Sequence, residues 1–140
     1  MKRIAILALA LVLGAGTAYG AVGEVGEALT QGLPSREVAI LLAVGQEYGL
    51  RGEALKLLLA IRKVENGRPG VEMGVASDFP GHRSHRHAGD LDRSLRVQAE
   101  WAAGTIRKHY AGDLDTFARR YCPPKAQHWA RLVRHWMNKP

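Results

Sequence analysis

The stretch EALKLLLAIRKVENG, residues 53–67, decides the fold. From Glu53 to Glu65 it contains no Gly, Pro or Asn, and Gly67 is a typical residue for ending a helix. A helix that is apolar around almost its whole circumference lies buried at the centre of a domain. We therefore predict a central helix over residues 53–65, with these apolar residues inside: Ala54, Leu55, Leu57, Leu58, Leu59, Ala60, Ile61 and Val64.

Glu65 is the unusual residue of this helix, because it lies in the last turn on the same face as Leu58 and Ile61. Burial and the negative end of the helix dipole both favour the protonated form of such a carboxyl group. A general acid needs that form in order to protonate a leaving oxygen. The alternative is a solvated glutamate, or one paired with Arg62 or Arg68, since most glutamates face water.

The first 20 residues have the organisation of a secretory signal peptide. Lys2 and Arg3 precede an apolar run over residues 4–13, and small residues continue to Gly20, so we expect cleavage after Ala18 or Gly20. An uncleaved anchor is the alternative, although a membrane span needs roughly 20 mostly apolar residues. The prediction is a periplasmic or secreted protein without stable membrane insertion after cleavage.

Composition limits the class of the remaining chain, which at about 120 residues is long enough for one core. The lone Cys122 excludes an internal disulfide, which favours a bacterial exported domain over a disulfide scaffold. Without Lys2 and Arg3, 18 Lys and Arg remain against 13 Asp and Glu, and this net charge of +5 favours an anionic polymer as partner: nucleic acid, acidic lipid or cell wall. Export argues against nucleic acid. We expect a monomer without a cofactor.

The other helical patterns predict an all-α fold of five helices in one domain over residues 35–138. The predicted helices run from Ser35 to about Tyr48, from Glu53 to Glu65, from Asp90 to about Tyr110, from Asp113 to about Tyr121 and from Lys125 to about Met137. We expect Ser35 and Asp113 to cap their helices. Residues 21–34 contain glycines and end at Pro34, so we expect a flexible tail or linker. Residues 67–89 are too rich in Gly, Pro and His for a regular element, and such long loops are usually functional.

Four segments in a fixed order carry a family resemblance: AIRKVENG at residues 60–67, a Gly–Met segment at 70–75, QAEWAAGTIRKHY at 98–110 and FARRYCPP at 117–124. Together they resemble the lysozyme-like superfamily, and most closely its soluble lytic transglycosylase branch with the phage relatives. That family has a glutamate at the end of a buried helix. A G-L-M-Q-like segment, an A-G-containing helix and an A-Y-N-A-G-like segment with a tyrosine then follow.

The resemblance implies that Glu65 is the general acid/base that cleaves the bond between N-acetylmuramic acid and N-acetylglucosamine in peptidoglycan. It also implies that the sugar's own N-acetyl group or 6-hydroxyl replaces a second carboxylate. Tyr121 and Met73 would contact substrate, as would Asn66, which stands where the family usually has serine. The glutamine of the G-L-M-Q segment has no counterpart here. Trp101 lies off the apolar stripe of its helix, so we expect it to line a groove.

Three other carboxylates leave a hydrolase of the same fold open as an alternative: Glu72, Asp78 and Asp90. A hydrolase would use one of them together with water. Asp90 is more simply a helix cap, and Glu72 and Asp78 are more simply solvated loop residues.

The histidines His82, His85 and His87 lie in a loop with Arg83 and Arg86. A zinc site needs a fixed geometry and supporting groups, so we expect no metal site and favour a basic rim that contacts acidic wall polymer or peptide carboxylates. A histidine-rich metal binder and a non-catalytic basic wall-binding or assembly module are the remaining alternatives. We expect Trp129, Trp136 and Cys122 to pack in the core, and Tyr121 to be either core or sugar-facing.

Overall fold

The computed structural model describes residue 20, residues 22–74 and residues 89–140. Its helices are α1 Glu27–Thr30, α2 Ser35–Glu47, α3 Gly52–Glu65, α4 Leu91–His109, α5 Leu114–Tyr121, a 3-10 helix Pro123–Lys125 and α6 Ala126–Met137. No strand occurs in these described ranges, which confirms the prediction of an all-α fold. Within the same ranges, no helix combines the length and apolarity needed to cross a bilayer.

Helix α3 is the centre of the domain, as residues 53–65 predicted. It contacts α1, α2, α4 and α6, and the continuous run from Leu57 to Ile61 has no exposed surface. Truncating one of these buried leucines to alanine typically costs about 2–5 kcal/mol. Because α3 packs against four other helices, its C-terminal residue is held in place by several other elements.

The end of α3 differs in detail from the prediction. Asn66, not Gly67, takes the left-handed conformation, with φ 42°, and its N–H donates to the carbonyl oxygen of Arg62 at 3.1 Å. Asparagine is one of the few residues other than glycine that visits this conformation readily. Gly67 is needed for a different reason: a Cβ there would lie 1.9 Å from the carbonyl oxygen of Val71. A glycine is therefore required by close packing of the following turn.

The segment expected to be a flexible tail, residues 21–34, is in fact part of the core over its described residues. Residues 22–25 are helical, α1 follows, and Val25 and Leu29 are only 2% and 1% exposed. The spacing of Val22, Val25, Leu29 and Leu33 explains this, because steps of three and four residues form an apolar stripe. The glycines between these residues are typical of a linker, which is why the sequence did not predict a helix here.

Two predicted helix caps are confirmed and a third is wrong. The carboxylate of Asp90 accepts from the N–H of Arg93 at 3.0 Å at the start of α4. That of Asp113 accepts from the N–H groups of Asp115 and Thr116 at the start of α5. Ser35 does not cap α2, because it is already the first helical residue.

A buried ion pair joins α2 to α3. Arg62 Nε donates to Glu37 Oε2 at 2.9 Å, and the two residues are 6% and 7% exposed. Arg62 therefore pairs with Glu37, and not with Glu65 as the sequence analysis had allowed. Such a pair stabilises little relative to apolar residues of similar volume, but losing one partner leaves a buried charge uncompensated.

We predict that Glu37→Leu lowers the free energy of unfolding by about 3 kcal/mol, because it leaves Arg62 buried and unpaired. The double variant Glu37→Leu, Arg62→Met should recover most of this loss. Arg36→Ala is the control, because it breaks the exposed Arg36–Asp92 pair and should change stability by less than about 1 kcal/mol. Urea denaturation measures all three. A single variant as stable as the parent would contradict this account of the pair.

Candidate active site

Glu65 lies at the end of α3 and is partly exposed. Its Oε1 accepts a hydrogen bond at 2.8 Å from the indole nitrogen of Trp129, on α6. Trp129 is only 4% exposed, so the prediction that it packs in the core is confirmed. Its single N–H nevertheless points at the Glu65 carboxyl group. The sequence analysis did not foresee this contact, because 64 positions separate the two residues.

The second oxygen of Glu65 lies against the backbone of Gly74. A Cβ at Gly74 would lie 2.3 Å from Glu65 Oε2 and 2.7 Å from its Cδ, and Gly74 has φ +66°. Both the close approach and the left-handed conformation require glycine at this position. The Glu65 carboxyl group is thus held between an indole N–H and a backbone that carries no side chain.

The turn over residues 67–74 brings Gly74 to Glu65. Within it, the N–H of Val71 donates to the carbonyl oxygen of Arg68 at 2.9 Å, and the N–H of Gly74 to that of Val71 at 3.2 Å. These short-range bonds fold the chain back immediately after the end of α3. The turn is consequently part of the site.

Gln98 on α4 anchors this turn. Its side chain is fully buried, its Oε1 accepts from the N–H of Met73 at 3.0 Å, and its Nε2 donates to Glu72 Oε2 at 2.8 Å. The sequence patterns had not singled out this residue. The available signal was its position, since Gln98 follows Leu95 by three residues and precedes Ala102 by four, on the apolar stripe of α4.

Two predictions for this turn are corrected. Glu72 is not a solvated loop residue, because it is 4% exposed and its carboxylate is bound to Gln98. Met73, expected to contact substrate, has no exposed surface and packs in the core. Both residues are drawn inside because the Gln98 amide provides the polar partners that the turn needs. The Met73 side chain therefore offers no surface to a ligand.

A cluster of aromatic rings runs outward from Trp129. The ring of Tyr121 stacks on Trp129 at 5.1 Å and on Phe117 at 5.4 Å between ring centroids, and it contacts Trp101 at 5.6 Å. Trp101 is 40% exposed, in agreement with its expected position off the apolar stripe. The cluster thus connects the indole that binds Glu65 to an aromatic ring at the surface.

The hydroxyl of Tyr121 is buried and has no hydrogen-bond partner in the described part of the chain. Burial raises the pKa of Tyr121, and the charge of Glu65 raises it further, so the phenol stays protonated at neutral pH. Buried polar groups are nearly always hydrogen-bonded, so an exception calls for an explanation. One explanation is a bound molecule that accepts this hydrogen bond.

The remaining predicted site residues are divided among several places. Asn66 is exposed immediately beside Glu65, where its established contribution is to end α3. Asp90 caps α4. Cys122 is half-buried and packs against the core. Asp78, His82, His85 and His87 lie outside the described residues.

Comparison with known proteins identifies no relative: no family model, curated protein or solved structure matches the chain. A function must therefore be inferred from the residues. The site combines one carboxyl group of fixed orientation, a protonated phenol and an exposed indole. This set can transfer a proton and offer both a hydrogen bond and an apolar face to a bound molecule.

We predict that Tyr121→Phe raises the free energy of unfolding at about pH 7 by about 1 kcal/mol, because it removes a buried hydroxyl without a partner. Tyr110→Phe is the matched control. Its hydroxyl donates to Glu53 Oε2 at 3.3 Å, so its removal should not stabilise the chain. Urea denaturation measures both, and a clear loss of stability in Tyr121→Phe would show that the hydroxyl has a partner.

The same variant tests the raised pKa of Tyr121. The unfolded chain ionises this phenol above about pH 10, whereas the folded chain keeps it protonated. Unfolding therefore releases a proton in this range, and the parent loses stability as the pH rises. The advantage of Tyr121→Phe over the parent should increase between about pH 9 and about pH 11. A constant difference would contradict the raised pKa.

Proposed function

We propose that the chain is a peptidoglycan lytic transglycosylase in which Glu65 acts first as general acid and then as general base. The observation that carries this proposal is the setting of the Glu65 carboxyl group, which is partly exposed, accepts a hydrogen bond from Trp129 on Oε1 and lies with Oε2 beside the Gly74 backbone. The four ordered segments that resemble soluble lytic transglycosylases supply the substrate, the bond between N-acetylmuramic acid and N-acetylglucosamine. The signal-like start of the chain fits a periplasmic or secreted enzyme.

In the first step, protonated Glu65 gives its proton to the oxygen that links the two sugars. The bond between this oxygen and C1 of the muramic sugar breaks, and positive charge develops at C1. The leaving sugar departs with a hydroxyl group at its C4. Since Oε1 of Glu65 is occupied by Trp129, we assign the transferred proton to Oε2.

In the second step, the Glu65 carboxylate takes the proton of the 6-hydroxyl of the muramic sugar. The 6-oxygen attacks C1, and the new bond closes a 1,6-anhydro ring. Glu65 is protonated again and no water is consumed. One carboxyl group is therefore sufficient for both steps.

The position of Glu72 favours this reaction over hydrolysis. A hydrolase needs a second carboxylate that activates water or attacks the sugar. Glu72 is buried and its carboxylate is bound to Gln98, and Asp90 caps α4, so neither is free for that role. A lysozyme-type hydrolase that uses Asp78 is the second candidate, and the Asp78→Asn variant below tests it.

The aromatic cluster has a proposed part in binding the sugar. The unpartnered hydroxyl of Tyr121 is available to donate to an oxygen of a bound saccharide, and the exposed ring of Trp101 offers an apolar face. Asn66, exposed at the end of α3, is placed to contact substrate beside Glu65. Met73 contributes only indirectly, by anchoring the turn through its backbone.

We predict that Glu65→Gln lowers lytic activity on purified peptidoglycan by at least about 100-fold, as expected for the loss of a general acid. The amide oxygen of glutamine still accepts from Trp129, so the fold and peptidoglycan binding should be retained. A zymogram followed by a soluble lysis assay measures the loss.

Glu72→Gln and Asp78→Asn are the controls for this variant. Under the transglycosylase mechanism both should lose far less activity than Glu65→Gln. A loss in Asp78→Asn that equals that of Glu65→Gln would favour the hydrolase. Lysis by Glu65→Gln at close to the parent rate would refute the role of Glu65, and an inactive parent that binds peptidoglycan would favour the wall-binding module.

We also predict that Gly74→Ala lowers activity at least tenfold more than Gly49→Ala, on the order expected for a carboxyl group displaced by about 1 Å. Both glycines have positive φ, +66° and +71°, so alanine brings similar backbone strain to each. A Cβ at Gly49 meets no atom within 4 Å, whereas one at Gly74 strikes Glu65. Equal activity of the two variants would show that the Gly74 contact does not matter for the reaction.

A further inference from the structure

The positive charge of the chain is concentrated in its last 25 residues. Residues 116–140 contain six Lys and Arg and no Asp or Glu. The other described residues contain ten Lys and Arg against twelve Asp and Glu, so they carry a slight negative excess. This uneven distribution produces a stronger positive potential around residues 116–140 than the net charge of the whole chain would suggest.

These basic residues lie on the exposed side of α5, the 3-10 helix and α6. Arg131, Arg134, His135 and Lys139 line a surface hollow of about 430 Å³ at the C-terminal end of α6. A second hollow, of about 890 Å³, lies at the other end of α6 beside Arg119, Lys125 and His128. We call this exposed surface, with both hollows, the basic face.

The charges of the basic face are mostly uncompensated. Among the described residues, Arg134 makes the one close ion pair of the basic face, with Asp115 at 3.1 Å, and Arg119 interacts electrostatically with Asp113. Arg131 donates to the ring of His128 at 2.8 Å instead.

Trp136, which is half-buried, brings Lys63 close to Lys139 of the basic face. Lys139 and Lys63 lie 4.1 Å and 4.6 Å from the centre of its ring. Burial lowers the pKa of Lys63, and the nearby charges of Lys139 and Arg62 lower it further. Like charges are thus held close together at this end of α6.

The composition of the basic face identifies the kind of partner. Leu132, 38% exposed, is the one large apolar residue of α6 that is strongly exposed, so the face has no apolar band for insertion into a bilayer. Helix α6 has 12 residues and is about 18 Å long, with Lys125 directly before it and Lys139 shortly after it. Cations at both ends of the helix suit a linear chain of separated negative charges better than a single small anion.

We propose that the basic face binds the peptide carboxylates of peptidoglycan and so holds a strand beside the Glu65 site. The choice of this polyanion depends on the proposed function; the existence of an anion-binding face does not. The two sides of α6 then have different roles. Trp129 on the inner side binds Glu65, and the basic outer side binds the peptide carboxylates. Anionic binding on the outer side leaves the Glu65 carboxyl group free.

The test compares two variants that each lose two positive charges. Arg131→Gln, Lys139→Gln removes them from the basic face, without touching Glu65 or the Arg134–Asp115 pair. Arg107→Gln, Lys108→Gln removes them from the exposed end of α4. Binding to insoluble peptidoglycan is measured by sedimentation across a salt series, with every protein also carrying Glu65→Gln so that no cleavage interferes.

We expect the basic-face variant to bind at least about tenfold more weakly than the parent at low salt. The slope of the logarithm of the binding constant against the logarithm of the salt concentration should become shallower by roughly one to two. The α4 variant should bind like the parent. Peptidoglycan whose carboxylates have been chemically amidated should bind all three proteins equally weakly.

Equal binding by the two charge variants, or undiminished binding to amidated peptidoglycan, would overturn the proposal. Tighter binding of the parent to duplex DNA or to vesicles containing anionic lipid than to peptidoglycan would also overturn it, by assigning the face to another polyanion. Because binding is measured without cleavage, a parent that binds as expected but fails to lyse peptidoglycan refutes the proposed function alone.

Discussion

The hydrogen bond from Trp129 to Glu65 is the contact on which the organisation of the domain depends. It joins the end of the fully buried helix α3 to α6, across 64 positions of the chain. A hydrogen bond typically stabilises by about 0.5–1.5 kcal/mol, and more is lost if its buried donor is left without a partner. On the other side of the carboxyl group, Glu65 Oε2 lies beside the backbone of Gly74. A helix that is apolar almost all round thus ends in one polar group whose position is fixed by two other elements.

Several features that reduce stability lie near this carboxyl group. Gly74 and Asn66 have left-handed backbones, Glu72 is a buried carboxylate, and the buried Tyr121 hydroxyl lacks a partner in the described residues. Local departures of this kind accumulate where a site has to hold groups in fixed positions. The buried Glu37–Arg62 pair is a different case, because its two opposite charges are paired with each other and join α2 to α3. Its contribution is to set how α2 meets α3.

Patterns within a few residues were sufficient to predict α3, Glu65 at its end, the all-α class and the caps formed by Asp90 and Asp113. These features depend on local periodicity and on hydrogen bonds to the nearest backbone N–H groups. The contacts of Gln98 with Glu72 and Met73, and of Trp129 with Glu65, join residues 25 to 64 positions apart, and no local pattern specifies them. The core position of residues 22–33 was not predicted for a different reason: glycines between apolar residues are typical of a linker.

The most direct test of the proposed chemistry is the origin of the oxygen in the cleaved glycan ends. Purified peptidoglycan would be digested by the parent protein in water enriched in a heavy oxygen isotope, and the released fragments analysed by mass spectrometry. The single-carboxyl mechanism at Glu65 predicts 1,6-anhydro ends that contain no oxygen from the solvent, because the sugar's own 6-oxygen attacks C1. Reducing ends that carry the heavy isotope would contradict it and identify a hydrolase.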